Sequence, residues 1–565
     1  MFGKSYNRGT GKMSEAVQRG MAPPDSRGRL SAHGLYPLAL ALILASHVCA
    51  QQTPAKFRVS GKVVNAVNGQ AWAGAELWFA KAEDFEATLQ KLLTGDDGTF
   101  TFTVMEPGKY LLSAQARGFR RQGFEQHGIF VSAIVVGAGL NTENITFRLR
   151  PDARIMGVIE DDDHDPVQGA TVYLFRTDAS YGLRQTYLSQ QTVSDDRGHY
   201  RLAHLEPGSY YVAVSAAPWF SGLIQPGDVT HSSAASQKPE FDVAFATTFY
   251  PGVKDAASAS QIALHEGEDF TADVTLNAVS ALHVRVNHLN ENPERPVGAT
   301  LQERVFGTTI TQTSHRQVQV DDGVEIRGVA PGRYVLNIAA YDSSRANRST
   351  VVNLTADIEL DGASASPVTP IRGVVRMGGG VNAPQQGVVR LWNSRTGELL
   401  DSQIGEKGQI NFDSDSLTPG AYSVYATTSE NSIISSLKAT GAQVSGQTVQ
   451  ITGGKPVELE IEMASALSKI SGTARREGKP TAGAMILLVP ENAEMNLPKF
   501  RRDQSDSDGS FTLHDVLPGH YRLLAIEDGW ELEWANLSFL RTRLERAQKM
   551  EVQPPKTYTE VLEVE

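Results

Sequence analysis

Short runs in which apolar and polar residues alternate one for one recur along the chain. Five of them have the same opening: Tyr110, Leu112 and Ala114; Tyr210, Val212 and Val214; Tyr334, Leu336 and Ile338; Tyr422, Val424 and Ala426; Tyr521, Leu523 and Ala525. Period two puts each trio on one face of a strand, and the positions between them, among them Ser113, Asn337, Ser423 and Arg522, are mixed. These are strands with one buried face. Each run follows Pro-Gly-x-Tyr, at Pro107, Pro207, Pro331, Pro419 and Pro518, so that the prolines are 100, 124, 88 and 99 positions apart. That period is the length of one small domain. Pro-Gly predicts a type II turn launching the strand, and the repeated tyrosine is expected to bury its ring and bond its hydroxyl to nearby backbone.

Eight to eleven residues before each Pro-Gly lies a second recurring element. It reads Asp96-Asp97-Gly98-Thr99-Phe100-Thr101-Phe102 in the first copy, Asp195-Asp196-Arg197-Gly198-His199-Tyr200 in the second and Asp508-Gly509-Ser510-Phe511 in the fifth. The third has Asp321-Asp322-Gly323 and the fourth Lys407-Gly408. Asp-Gly ahead of alternating apolar residues predicts a β-hairpin with an exposed turn. Further upstream each unit opens with a strand broken by glycine, at Gly61, Gly157, Gly373 and Gly472, and continues into a Gly-small-apolar segment such as Gly74-Ala75-Glu76-Leu77 or Gly169-Ala170-Thr171-Val172. The third unit, Leu282-His283-Val284-Arg285-Val286, lacks that glycine and is the most divergent.

This set of motifs resembles the carboxypeptidase regulatory-like domain. The resemblance implies a transthyretin-like (prealbumin-like) seven-stranded sandwich without catalytic activity, in an exported multi-copy protein. The predicted fold is all-β: about five tandem β-sandwich domains and one short C-terminal helix. The expected divisions are an N-terminal extension and signal peptide over 1–50, then sandwiches over 51–150, 151–278 (with an insertion at 218–260), 279–366, 367–465 and 466–565. Leu532, Leu537, Leu540 and Leu544 predict the helix, packed on the fifth sandwich before a final strand.

Composition agrees with several folded domains. The 565 residues exceed what one core holds, and 51 Gly and 26 Pro punctuate the chain with turns. Leu35 to Val48 is an apolar run of 14 residues behind Arg27 and Arg29 and ahead of Cys49-Ala50-Gln51. It predicts a secretory signal peptide cleaved after Ala50, with Met21 as the natural start, and is short of the roughly 20 residues of a membrane-spanning helix. The only cysteine, Cys49, would leave with it, and Val48 before it argues against lipidation. The whole chain carries net charge −12 from 52 basic and 64 acidic residues; removing the six basic and two acidic residues of 1–50 leaves 46 minus 62, or −16. Such a balance excludes a nucleic-acid surface.

A search for catalytic chemistry finds little. His288-Leu289-Asn290-Glu291 matches His-x-x-Glu but follows a strand into a polar loop with no third ligand. Asp161-Asp162-Asp163-His164-Asp165 offers oxygens to a cation, and Asp506-Ser507-Asp508-Gly509 approaches a calcium loop with Gln504 in place of the first ligand; both read better as solvated turns. No catalytic, cofactor or metal residues are assigned, and no enzyme activity is expected. Among six tryptophans, Trp72, Trp78 and Trp392 are expected in the core, while Trp219 with Phe220, and Trp530 with Trp534, lie past strand ends and are the candidate exposed ligand contacts. The expected function is an exported, non-catalytic binding, scaffold or adhesion protein of the cell envelope, with a polysaccharide or an envelope protein as partner. A carbohydrate-binding module array is the alternative, and an accessory part of a peptidase or glycosidase system the second.

Overall fold

The structure, a computed structural model, describes residues 56–219, 221, 242–289, 297–310, 312, 315–320, 322–340, 348–367, 370–378, 383–384, 386–412, 419–428, 432–452, 455–465 and 467–565. The signal-peptide segment, Phe220, Glu291 and residues 222–241 of the 218–260 insertion lie outside these residues.

The first repeat gives the plan. Its strands are β1 (Phe57–Asn65), β2 (Glu76–Lys81), β3 (Gln90–Leu93), β4 (Thr99–Val104), β5 (Gly108–Ala116), β6 (Phe119–Gly123), β7 (Ile134–Val136) and β8 (Ile145–Leu149). One sheet has the order β4-β1-β8; in the other, β3-β2-β5 is extended by β6 and β7, which share the far edge of β5. The opening strand β1 runs antiparallel to β4 and parallel to the closing strand β8. The same arrangement recurs around Ala153–Asp161, Leu282–Asn287, Ile371–Met377 and Ser468–Arg476. The fold is therefore all-β, a series of two-sheet sandwiches.

The parallel pairing explains the glycine in the opening strand. A Cβ on Gly61 would lie 2.0 Å from the Ile145 carbonyl oxygen, and one on Gly157, Gly373 or Gly472 would lie 2.3, 2.3 or 2.2 Å from the oxygen of Ala272, Leu459 or Glu560. Only a residue without a side chain lets the two backbones approach so closely.

Two turn expectations are corrected. The Asp-Gly turn joins β3 of one sheet to β4 of the other, and its counterparts in the second, fourth and fifth repeats also cross between sheets. Only the third repeat has a true hairpin there, with Val320 paired to Gly323. The physical reason lies in the turn glycine. Gly98, Gly198 and Gly509 take φ of 77°, 74° and 77°, and their carbonyls accept the N–H groups of Val63, Ile159 and Ala474 on the opening strand at 2.8–2.9 Å. The chain is thus tied to the other sheet instead of folding back. The Pro-Gly turn is not type II: Gly108, Gly208 and Gly519 have φ of 151°, 152° and 150°, far from the roughly +80° of that turn.

All five repeat tyrosines are buried. In four, the hydroxyl donates to the carbonyl four residues back: Tyr110 to Glu106, Tyr210 to Glu206, Tyr334 to Ala330 and Tyr521 to Leu517, at 2.8–2.9 Å. Tyr422 instead donates to the Glu398 carboxylate at 2.7 Å.

Five clusters of buried apolar side chains each draw on one repeat, and further clusters lie between repeats. The C-terminal helix spans Leu537–Arg546, capped by the Asn536 side chain accepting from the Ser538 N–H at 3.1 Å. It buries Leu540 with Met485, Leu487 and Leu524 of the fifth sandwich. Two strands follow it, Gln548–Val552 and Thr557–Glu563, where one was expected, and a one-turn helix at Phe85–Thr88 was not foreseen. Among the described residues no helix is long and apolar enough to cross a membrane.

Candidate functional site: the joints between repeats

The aromatic candidates separate. Trp219, just past the strand Gly208–Ser215, is 76% exposed, while Phe220 lies outside the described residues. Trp530 and Trp534 are not exposed platforms, which corrects the expectation. Trp530 stacks on His127 with centroids 5.1 Å apart, packs on Phe130 at 5.2 Å and donates its indole N–H to the Gly483 carbonyl at 3.0 Å. Trp534 is buried against Phe500, with the Arg502 guanidinium 4.0 Å above its ring. Both rings serve contacts between repeats. Of the tryptophans expected in the core, Trp72 packs on the first core from a half-buried position and Trp78 is covered by Arg121 at 4.3 Å. Trp392 is buried in a joint, where its indole N–H donates to Gln185 of the second repeat.

The first and fifth repeats meet along a polar seam. Gln504, Ser505 and Asp506 are all buried there. Ser132 donates to the Ser505 carbonyl at 2.9 Å, the Ala133 N–H to the Asp506 carboxylate at 2.7 Å and the Val135 N–H to the Ser507 hydroxyl at 2.8 Å. The Ser507 N–H returns a bond to the Ala133 carbonyl at 3.0 Å, and Gln504 donates to Ser132 at 2.8 Å. Lys109 pairs with Asp506. Burial outweighs that cation, so the Asp506 carboxyl is raised above its ordinary range. Nearby, burial pushes the Asp503 carboxyl up to about 6 and pulls the Arg502 guanidinium down to about 10, still charged at neutral pH.

Other joints use different chemistry. Phe306 of the third repeat inserts among Phe175, Tyr211 and Phe249 of the second, with centroids 4.9–5.9 Å apart. Arg304 pairs with the buried Glu398 of the fourth repeat at 3.0 Å, the same carboxylate that Tyr422 holds. Arg120 binds Glu206 at 2.8 Å between the first and second repeats. The fifth repeat also reaches the second, through the Ala535 N–H to the Gly182 carbonyl at 2.9 Å.

A cleft of about 220 Å³ opens between the fourth and fifth repeats, lined by Val424, Tyr425, Gln447, Arg501, His514 and Asp515 among others. Gln447 is fixed there: its side-chain N–H donates to the Ile434 carbonyl at 2.6 Å and its backbone N–H to the Met495 carbonyl at 2.9 Å. Its side-chain oxygen has no partner among the described residues. Arg501 donates to the carbonyls of Asp515, Pro498 and Phe500 at 2.7–2.9 Å. Burial lowers its pKa. No signal along the sequence marks these residues, because they come from five separate segments.

The acidic turns act as turns. Asp161 accepts from the Asp163 and Asp165 N–H groups at 3.0 Å, and Asp506 serves the seam, buried where an exposed turn was expected. His288 is largely exposed beside Asp361 and Asp322. Among the described residues no group of three or more His, Cys, Asp or Glu side chains is placed to hold a metal ion.

Residues 58–150 and 154–221 match the model of the carboxypeptidase regulatory-like domain family. No curated protein matches the sequence. Among solved structures, the Bacillus anthracis TIE protein aligns with 91% of this chain and 76% of its own at 9% identity and a TM-score of 0.17. GBS52, the minor pilin of Streptococcus agalactiae, aligns with 39% of this chain and 96% of its own at 12% identity and 0.19. The shaft pilin SpaA from Lactobacillus rhamnosus GG aligns with 40% and 99% at 9% and 0.19. At these TM-scores the overall likeness says nothing about function.

Proposed function

We propose that this carboxypeptidase regulatory-like domain protein is an exported, non-catalytic binding or adhesion scaffold that holds its sandwiches in one fixed arrangement. The seam between the first and fifth repeats is the observation that carries this reading. Directional contacts between residues 372 to 397 positions apart, Lys109 to Asp506 among them, fix the relative position of the first and last repeats. A flexible tether would not need them, whereas a surface presenting several loops to a large partner gains from pre-organisation. The partner class that fits is a cell-envelope protein or polysaccharide.

The test is retention of the purified chain on cell-envelope preparations, before and after protease treatment or glycan oxidation, alongside assays of peptide and glycan turnover. Saturable retention without turnover is expected. Reproducible turnover, or no retention on either class of envelope material, would overturn the proposal. A carbohydrate-binding array is the second reading, supported by the exposure of Trp219; it expects glycan binding lost in Trp219→Ala.

A further inference from the structure

The closing strand of the fifth repeat leaves one edge open. Thr557–Glu563 runs parallel to Ser468–Arg476 and pairs with no other strand among the described residues. Lys469 donates to the Lys556 carbonyl and Val564 to the Arg475 carbonyl, so Tyr558, Glu560 and Leu562 turn their backbone groups toward that neighbour. The N–H and C=O groups of Thr557, Thr559, Val561 and Glu563 therefore point the other way. None of these groups has a hydrogen-bond partner among the described residues, and all four residues are exposed, Val561 to 55%.

The fourth repeat shows what such an edge takes. Its closing strand, Val457–Ala464, is covered on the far side by Ile433–Thr440, antiparallel, with Lys438 opposite Glu460. In the fifth repeat the chain after Gly519–Ile526 forms the helix Leu537–Arg546 instead, which packs on the other sheet, and no strand among the described residues reaches the edge. The closing strands of the first three repeats are also uncovered there, but they are short. Ile145–Leu149 carries Arg148, Ile358–Asp361 has four residues, and the second repeat's is split into Asp269–Thr271 and Val274–Leu276. Thr557–Glu563 has seven residues in unbroken register and no Lys, Arg or Pro, so it lacks the features that keep many natural edges from pairing. Its charges are Glu560 and Glu563. A second copy would bring the same carboxylates and no cation to a chain already at net charge −12, whereas a basic strand would meet opposite charge.

We propose that this edge binds one extended segment of a partner protein by strand addition, antiparallel as in the fourth repeat, with a Lys or Arg opposite Glu563 and an apolar residue opposite Val561. The outward backbone groups supply the affinity, and the carboxylates select basic segments over acidic ones. The site goes beyond the scaffold reading, which rests on the seam between the first and last repeats and stands if this edge binds nothing. The probe is a capped octapeptide that alternates threonine and valine, with lysine at two of the valine positions; the control peptide carries glutamate at those two. Binding to the full chain is followed by fluorescence anisotropy and by residue-resolved amide exchange.

The lysine peptide should bind with a Kd of about 0.1–1 mM, modest because a free strand must be ordered. The glutamate peptide should bind about tenfold more weakly or worse, as two opposite-charge pairs become like-charge pairs. Binding should slow exchange of the Thr559, Val561 and Glu563 amides, while those of Tyr558, Glu560 and Leu562 are protected with or without it. Val561→Pro removes one outward N–H and leaves the inner ladder whole, so it should abolish binding. Circular dichroism checks that the variant folds; if it does not, Val561→Lys decides, since it keeps the backbone and repels the lysine peptide. No binding of the lysine peptide, equal binding of the glutamate peptide, protection confined to other amides, unchanged binding in the folded variants, or pairing of two copies through this edge in sedimentation would overturn the proposal.

Discussion

A tyrosine hydroxyl reaching back four residues to a carbonyl closes a small ring of chain around each of four Pro-Gly turns. Losing one such bond should destabilise by about 1 kcal/mol, so Tyr210→Phe is expected to lower the urea midpoint modestly. Tyr422→Phe should lower it more, through a stability loss of about 1.5–3 kcal/mol, because its hydroxyl serves the buried Glu398 carboxylate, which also holds Arg304 of the neighbouring repeat. Equal losses in the two variants would refute the special role of Tyr422. Burial of these rings was legible in the period-two pattern; the partner of Tyr422 was not, because it comes from another segment. Asp503 gives a pH dependence. Its folded value of about 6 stands above the ordinary 3.8, so the folded chain holds this proton more tightly than the unfolded chain. Its contribution is therefore full below about pH 4, falls as pH rises to about 6, and stays low above that, by up to about 2–3 kcal/mol. Asp503→Asn should be more stable than the parent at pH 8 and show a flatter stability profile between pH 4 and 6, measured by urea unfolding across pH.

At the level of strands and turns, the motifs mark recurring elements without always giving their geometry. Asp-Gly carries a positive-φ signal that a hairpin and a sheet-to-sheet crossing satisfy equally; which one forms depends on the opening strand accepting the turn, as when Val63 donates to the Gly98 carbonyl. No local pattern encodes that bond. The opening glycine was visible only as a recurrence, and its cause is the parallel closing strand, from Gly61 to Ile145 in the first repeat and from Gly157 to Ala272 in the second. This yields a sharp expectation. Gly472→Ala would bring a Cβ to 2.2 Å from the Glu560 oxygen, so the strands must separate, and a loss above about 3 kcal/mol is expected, in the class of severe backbone and overpacking changes. A thermal shift no larger than that of Gly405→Ala, at an exposed glycine with φ of −82° whose Cβ would meet nothing closer than 3.5 Å, would contradict the close-approach explanation.

The whole molecule is where the sequence was least informative. Asp506 reads as part of a solvated turn, yet it is buried together with Gln504 and Ser505 against Ser132 and Ala133 of the first repeat. Polar residues in an interface look like polar residues facing water until the partner is known, and for the same reason Trp530 and Trp534 have the sequence surroundings of surface rings. The physical consequence is testable through Lys109. Its removal leaves Asp506 charged in a site from which water is largely excluded, and breaking a buried pair destabilises by about 3–5 kcal/mol. Lys109 itself is 39% exposed, so solvent screening reduces the expected loss for Lys109→Met to about 2 kcal/mol. Replacing both partners, Lys109→Met with Asp506→Asn, should recover part of it, since the carboxamide oxygen of the substituted side chain can still accept from the Ala133 N–H. Calorimetry separates this from ordinary destabilisation. Each repeat has its own core, so weakening the seam should uncouple the first repeat and give it a separate, lower-temperature transition while the remaining repeats keep theirs. Limited proteolysis should then cut first near residues 124–131, the loop that Trp530 and Gln504 cover. If Lys109→Met instead shifts the whole transition uniformly with no new cleavage, the seam does not couple the first repeat to the last, and the fixed-scaffold picture fails with it.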